Sequence, residues 1–242
     1  FNGNHVQNQY LDRALNIMSA IIIPLAILVH SVLAWIFGMT LRPGWHSTIF
    51  APYFVVAAVF SGTGVLIIVM WILREVYRLE SYITKIRFNY LGIILMILGA
   101  LYAYFTFSEY LTSWYGSETW EMEVLYKLFD YNEYWWWFFF AAILGVLLPI
   151  IVILFPRFRT INSITAVSVI AVMALWVKRY LIIIPTLETP LLPLQDMRPE
   201  YIHYTVTPVE WMLTFAGIAM FILLFFLFSK FLPIVNVVKV TE

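Results

Sequence analysis

The sequence has no cysteine in 242 residues. No disulfide, thiolate metal site or cysteine-held iron–sulfur cluster can be built from this chain. Charge is also scarce. Asp, Glu, Lys and Arg make up 12% of the residues, about half of what soluble domains carry. That charge cancels, 14 basic against 14 acidic, so no global field draws in nucleic acid. No Walker A motif occurs, which argues against an ATP-driven pump. Histidine is limited to His5, His30, His46 and His203, and only His30 falls inside a long apolar run. Haem held between two transmembrane histidines at matching depth is therefore disfavoured, and no metal site is expected. The chain opens on Phe1, without an initiator Met or the tripartite pattern of a signal peptide. That is the pattern expected if the gene product begins upstream.

What is present is apolar. Hydrophobic residues make up 63% of the chain and mean hydropathy is +0.88, against about 45–50% apolar in soluble domains. A water-soluble globular enzyme is excluded. Six apolar runs, spans A to F, cover about 14–37, 50–73, 89–112, 134–155, 162–185 and 209–232. Each reaches ~30 Å as a helix, enough to cross the hydrocarbon core. None alternates with period two, so a barrel is excluded. The expected fold is all-α, a polytopic bundle of six transmembrane helices. Residues 1–155 hold spans A–D and residues 156–242 hold spans E–F, together part of one membrane domain.

Lys and Arg set the expected orientation. Arg13, Arg74, Arg78, Lys85, Arg87, Arg157, Arg159, Lys230 and Lys239 fall on one side; Arg42, Lys127 and Arg198 fall on the other. Both termini and residues 74–88 and 156–161 should then be cytoplasmic, with 113–133 and 187–208 outside. Trp135, Trp136, Trp137 and Trp211 stand where interfacial anchors belong. Pro24 and Pro149 should kink spans A and D unless neighbours supply partners for the freed carbonyls. Small residues at Ala57, Ser61, Gly62 and Gly64 suit close helix packing on span B. The A–B loop turns at Pro43–Gly44. The E–F loop, with Pro190, Pro193, Pro199 and Pro208, suits an extended outer cover and a docking surface for a partner.

Ionisable groups at membrane depth are costly and mark function. They are His30 on A, Glu109 on C, and Lys178 with Arg179 on E. At 1.5 Å per residue they lie ~25–30 Å from the cytoplasmic ends, within about one turn of height of each other. A purely structural reading pairs Glu109 with Arg179 and lets the cations snorkel. The functional reading is a polar cavity for a ligand or proton, because His30 adds a group that titrates near neutrality. In that cavity His30 and Arg179 face the bundle interior, with Glu109 nearby.

At His30 a family pattern emerges. His30–Ser31–Val32, then the Arg42–Pro43–Gly44–Trp45–His46–Ser47–Thr48–Ile49–Phe50–Ala51–Pro52–Tyr53–Phe54 block, then Phe60–Ser61–Gly62 resemble the NrfD/PsrC family of quinone-interacting membrane subunits. The pattern is most similar to the ActC branch from bacterial alternative complex III. Further matches run from Trp176 to Leu187 and from Thr207 to Trp211. The resemblance implies a protein of about ten spans, of which this chain supplies the last six. It implies quinol or menaquinol as substrate, and a bacterial cytoplasmic membrane as the location. It also implies an iron–sulfur subunit, a paralogous NrfD-like membrane subunit and multihaem cytochrome c subunits as partners, which hold the iron–sulfur clusters and haem c. It puts the quinol pocket toward the outer face, largely within the first helix bundle and next to the iron–sulfur subunit, and it associates His30 and Arg179 of this part with that pocket or the proton route. An acidic residue a few positions past His30 is part of the family pattern, whereas Trp35–Ile36–Phe37 is apolar here.

Quinol oxidation releases two electrons and two protons. His30 can serve as base, Arg179 can hold a quinone oxygen or a quinolate, and Glu109 can pass on a proton. Lys178 and His46 are further groups for the quinone, and Ser61 and Thr63 could line a water-bridged proton path. With no redox ligand in the chain, the electrons must leave for another subunit. The alternatives are a non-catalytic ActF-like scaffold of the same complex, or a transporter or channel repeat with the ionisable cluster as ion site.

Overall fold

A computed structural model describes residues 5–40, 42–189, 204 and 206–231. Among these residues there is no strand. The helices are α1 (His5–Gly38), α2 (Phe50–Val76), α3 (Lys85–Gly116), α4 (Thr119–Phe129), α5 (Trp135–Phe139), a π-helix (Phe140–Leu147), α6 (Leu148–Leu154), α7 (Ile161–Leu187) and α8 (Pro208–Phe231). α5, the π-helix and α6 run on as one span, Trp135–Leu154. Six helices are long and apolar enough to cross a membrane, as the sequence predicts. Residues 1–195 and 196–242 form two compact units.

In the first unit α7 is the central helix, packed against α2, α6 and the π-helix, while α3 lies against α2 and α6. Small side chains put it there: Thr165, Ser168, Ala171 and Ala174 are all buried, and small residues let helix backbones approach closely. Gly64 of α2 meets the Ser168 carbonyl and Val172, so an added Cβ there would lie 2.8 Å from Val172 Cγ2. Phe60, Ile67, Phe88, Leu95, Ile153 and Ile164 fill the centre and are fully buried. α1 packs chiefly on α2 and stays helical through Pro24.

Two features go beyond the sequence expectation. The stretch read as an outer loop contains α4, whose Val124, Leu125 and Leu128 are buried at helical spacing. Its Lys127 Nζ donates to the Glu188 carbonyl at 3.0 Å, placing a cation at the C-terminus of α7, where the helix dipole favours one. The second feature is the π-helix just before Pro149. Proline has no N–H for the carbonyl four residues back and crowds it. The turns ahead of Pro149 widen into i→i+5 geometry instead of a sharp break.

α8, in the second unit, begins with a capping box. Thr207 Oγ1 accepts from the Glu210 N–H at 3.4 Å, and the Glu210 carboxylate accepts from the Thr207 N–H at 2.7 Å. Most of the Pro-rich segment assigned to docking, 190–203, lies outside the described residues, as do Arg198, His203 and Lys239.

Candidate functional site

Lys178 is the centre of the site. It sits on the buried face of α7 with 8% of its surface exposed. Its ammonium donates to the Tyr110 hydroxyl and lies 4.6 Å from the Tyr110 ring centroid. Among the described residues no carboxylate oxygen comes within 4 Å of it. An ammonium has three donors, and among the described residues Tyr110 takes one, which leaves donors for a ligand oxygen or for water.

Lys178, Tyr110, Glu109, Tyr53, Ser113 and Thr186 border a cavity of about 70 Å³ between α2, α3, α4 and α7. Trp45 walls one side. Its indole N–H donates to the Ile182 carbonyl at 3.1 Å, and its ring meets Phe37 edge-on at 5.2 Å. The turn that delivers Trp45 needs Gly44, which has φ +76°, a left-handed conformation that glycine adopts without strain. Behind Tyr53, outside the cavity lining, Thr106 Oγ1 donates to the Tyr102 carbonyl at 2.9 Å. Tyr53 Oη must then be the donor in its 2.9 Å bond with Thr106 Oγ1.

Glu109 leads out of this cavity. Its Oε2 accepts from Ser47 Oγ at 2.8 Å. The neighbouring residue, His46, is exposed, and its Nε2 lies 3.4 Å from Glu121 Oε1. Lys178 and Glu109 therefore border one cavity, and Glu109 is hydrogen-bonded to half-buried Ser47, the sequence neighbour of exposed His46. His46, Glu118 and Glu121 bring one ligand atom each within 4.8 Å of one another; exposed groups of this kind do not by themselves make a metal centre. Beside the far end of α7, Tyr134 Oη donates to Glu188 Oε2 at 3.1 Å. Burial first, and the Glu188 charge second, hold this phenol's pKa well above its ordinary value.

The other predicted residues lie elsewhere. Arg179, one step along α7 from Lys178, is exposed and its Cζ stands 5.9 Å from the Phe54 ring centroid. The His30 ring flanks the same Phe54 at 6.3 Å. His30 Nδ1 is 2.7 Å from the Ala26 carbonyl, which can only accept, so Nδ1 is the donor. His30 and Arg179 thus share an aromatic neighbour on the α1–α2–α7 flank, while Glu109 and Lys178 share the interior cavity. Ser61 and Thr63 donate to the Ala58 and Val59 carbonyls of their own helix at 3.0 and 2.8 Å, and neither borders the cavity. Sequence reasoning missed Tyr110, Tyr53, Ser47 and Glu121. Ser47 and Tyr53 stand inside the motif block, and Tyr110 adjoins Glu109.

The family described as "Polysulphide reductase, NrfD" matches residues 7–190. The chain is 26% identical, over 233 residues, to the "Hdr-like menaquinol oxidoreductase integral membrane subunit" of Archaeoglobus fulgidus. That alignment takes in 91% of this chain and 58% of the relative, so the chain spans little more than half of the relative's length. The matched stretch reaches from the start of α1 past the end of α7 and includes every residue of the Lys178 cavity: the chain belongs to the NrfD family.

Proposed function

We propose that the chain is an integral membrane subunit of a quinol-oxidising electron-transfer complex, with the quinol oxygen held by Lys178 and Tyr110. The observation that carries this reading is a buried ammonium with donors to spare, bordering the same cavity as Glu109, whose carboxylate is hydrogen-bonded to Ser47 beside the exposed His46. The reaction converts quinol to quinone: two O–H bonds break, two electrons leave the ring and two protons are released. Lys178 stabilises the developing quinolate, as a preorganised cation does in a site shielded from water. Glu109 accepts a proton and passes it through Ser47 toward His46 and Glu121; the second proton follows once Glu109 has re-ionised. The electrons pass to an iron–sulfur partner subunit. Menaquinol, named for the archaeal relative, is the quinol we favour. The Lys/Arg bias puts the Trp45 end of the bundle outside a cytoplasmic membrane. The finer assignment to alternative complex III, with a paralogous membrane subunit and multihaem cytochrome c partners, rests on the motif resemblance alone.

The test is quinol turnover by the purified complex carrying Tyr110→Phe or Lys178→Leu. A loss of about tenfold or more, ~1.4 kcal/mol of barrier, with subunits still assembled, is the expected result. Full turnover in both variants would overturn the reading. A second reading, an ActF-like scaffold, is favoured by the apolar Trp35–Phe37 segment. It predicts that both variants lose subunits rather than turnover.

A further inference from the structure

A second space opens beside Lys178 on the far side of Tyr110. It is a cleft of about 210 Å³ between α3 and the π-helix, and it reaches Tyr102, Thr106, Tyr110 and Lys178 at its inner end. The floor is closed: Tyr102, Ala141, Val146 and Lys178 are buried. The mouth is open: Phe107 is 65% exposed, and Ile143 and Leu147 are exposed beside it. The mouth faces sideways from helices of membrane-spanning length, so it opens toward lipid rather than toward water.

The π-helix makes this cleft. At its glycine the widened backbone is pressed against α7: a Cβ on Gly145 would lie 1.9 Å from Ala174 Cβ. Toward α3 the cleft is left open by two small residues, Ala103 on α3 and Ala142 on the π-helix, among the larger Phe107, Phe138 and Ile143. A regular α-helix there would not carry the extra residue per turn that lets one face press against α7 while the other stands off α3.

We infer that isoprenoid quinol enters sideways from the bilayer through the cleft between α3 and the π-helix, and that its ring oxygen there meets Lys178. This rests on the quinol reading above. The chemistry of the cleft selects the occupant. Its walls are apolar, and its polarity is concentrated at the inner end. Thr106 there is already bonded to Tyr53 and Tyr102, so Lys178 supplies the free donors. A flat ring with an oxygen at the tip and an apolar tail behind satisfies this arrangement. A phospholipid does not, because its charged headgroup would have to leave the interface and sink beside Tyr102. Lys178 also borders the Glu109 cavity, so an oxygen bound in the cleft lies one side chain from the proton route.

The test is photoaffinity labelling of the intact complex in lipid vesicles with an azido-substituted quinone, mapped by peptide. The expected label falls on 102–110 and 138–147 and is displaced by unlabelled quinol. Ala142→Phe and Ala103→Phe, which fill the cleft from its two walls, should each raise the KM for quinol about fivefold or more with kcat little changed. A displaceable label on Phe54 or Ile183, which line the separate cleft beside Arg179, would overturn this entrance and leave the quinol reading standing. Label in the cleft that quinol does not displace would also overturn it, as ordinary lipid-like occupancy. No label anywhere on this chain would overturn both. The labelling uses the unsubstituted protein, so its outcome does not depend on whether either variant folds.

Discussion

α1 and α7 are both long, apolar and able to cross a membrane, yet half of the apolar window of α7 is buried and 6% of that of α1. Side-chain size separates them. α1 carries Ile21, Ile22, Ile23, Leu25, Ile27 and Leu28, all exposed. α7 offers Ser168, Ala171 and Ala174 to its neighbours and lets them close in. The titratable groups follow the same division. Lys178 on the central helix is held among Tyr110, Tyr53 and Glu109. His30 on the peripheral helix meets α2 at Phe54, where Arg179 also sits. Depth in the membrane brings charges to one level; helix packing decides which of them share a cavity.

The most direct way to break this comparison sets neighbours against each other. Lys178→Leu should lower quinol turnover about a hundredfold, ~2.7 kcal/mol of barrier, and Arg179→Leu about tenfold. The readout is steady-state turnover normalised to assembled complex. If Arg179→Leu proves the more damaging, the catalytic cavity lies on the His30 flank and the interior cavity is structural.

Packing gives the next largest effect. Gly145→Val would drive its side chain into Ala174, whose Cβ is 1.9 Å from the position of an added Cβ. Overpacking of a tight contact costs about 1–3 kcal/mol, so the thermal midpoint of the complex should fall. Gly62→Val on α2 is the control, because nothing lies within 4 Å of its added Cβ. Equal midpoints for the two variants would show that the π-helix does not depend on that approach.

These contrasts also show how much can be read from the chain alone. The six spans are legible because hydropathy and length suffice for them. His30, Glu109, Lys178 and Arg179 are legible because charge at that depth is rare. The choice between Lys178 and Arg179 is not. Successive residues of a helix point about 100° apart, and only the neighbours show which direction is inward. α4 is written in the spacing of Val124, Leu125 and Leu128, but eleven residues between two spans read equally well as loop. The π-helix segment, FAAILGVL, is plain apolar sequence, and Pro149 is its one outward sign. The resemblance points to the Arg42–Phe54 block, and the fold explains part of it: Gly44, Trp45, Ser47 and Tyr53 build one wall of the cavity or lead from it.

Glu109→Gln sharpens the proton route. The amide oxygen still accepts from Ser47 Oγ, so the 2.8 Å bond is kept while the proton acceptor is lost. Turnover should drop about tenfold, and the fall in rate toward acid pH should flatten, since protonating a carboxylate base is one cause of that limb. Ser47→Ala should give a smaller loss and keep the acid limb. An unchanged pH profile in Glu109→Gln would move the proton route away from this carboxylate and leave His30 as the base to test.

The smallest effect is expected where the two helices are joined. Trp45 touches Phe37 at the end of α1 and donates to the Ile182 carbonyl on α7. Trp45→Phe keeps a ring against Phe37 and removes the donor. A buried hydrogen bond is worth about 0.5–1.5 kcal/mol net, so the thermal midpoint should fall by less than in Gly145→Val. Hydrogen exchange in residues 42–49 should quicken. Turnover should change by about threefold at most. The indole walls the cavity, but Lys178 is bonded to Tyr110 and Glu109 to Ser47 rather than to Trp45. A loss as deep as that of Lys178→Leu would mean that the loop holds the reacting geometry. The lesson drawn from α1 and α7 would then reverse, since the link between the central and peripheral helices would matter more than the burial of either.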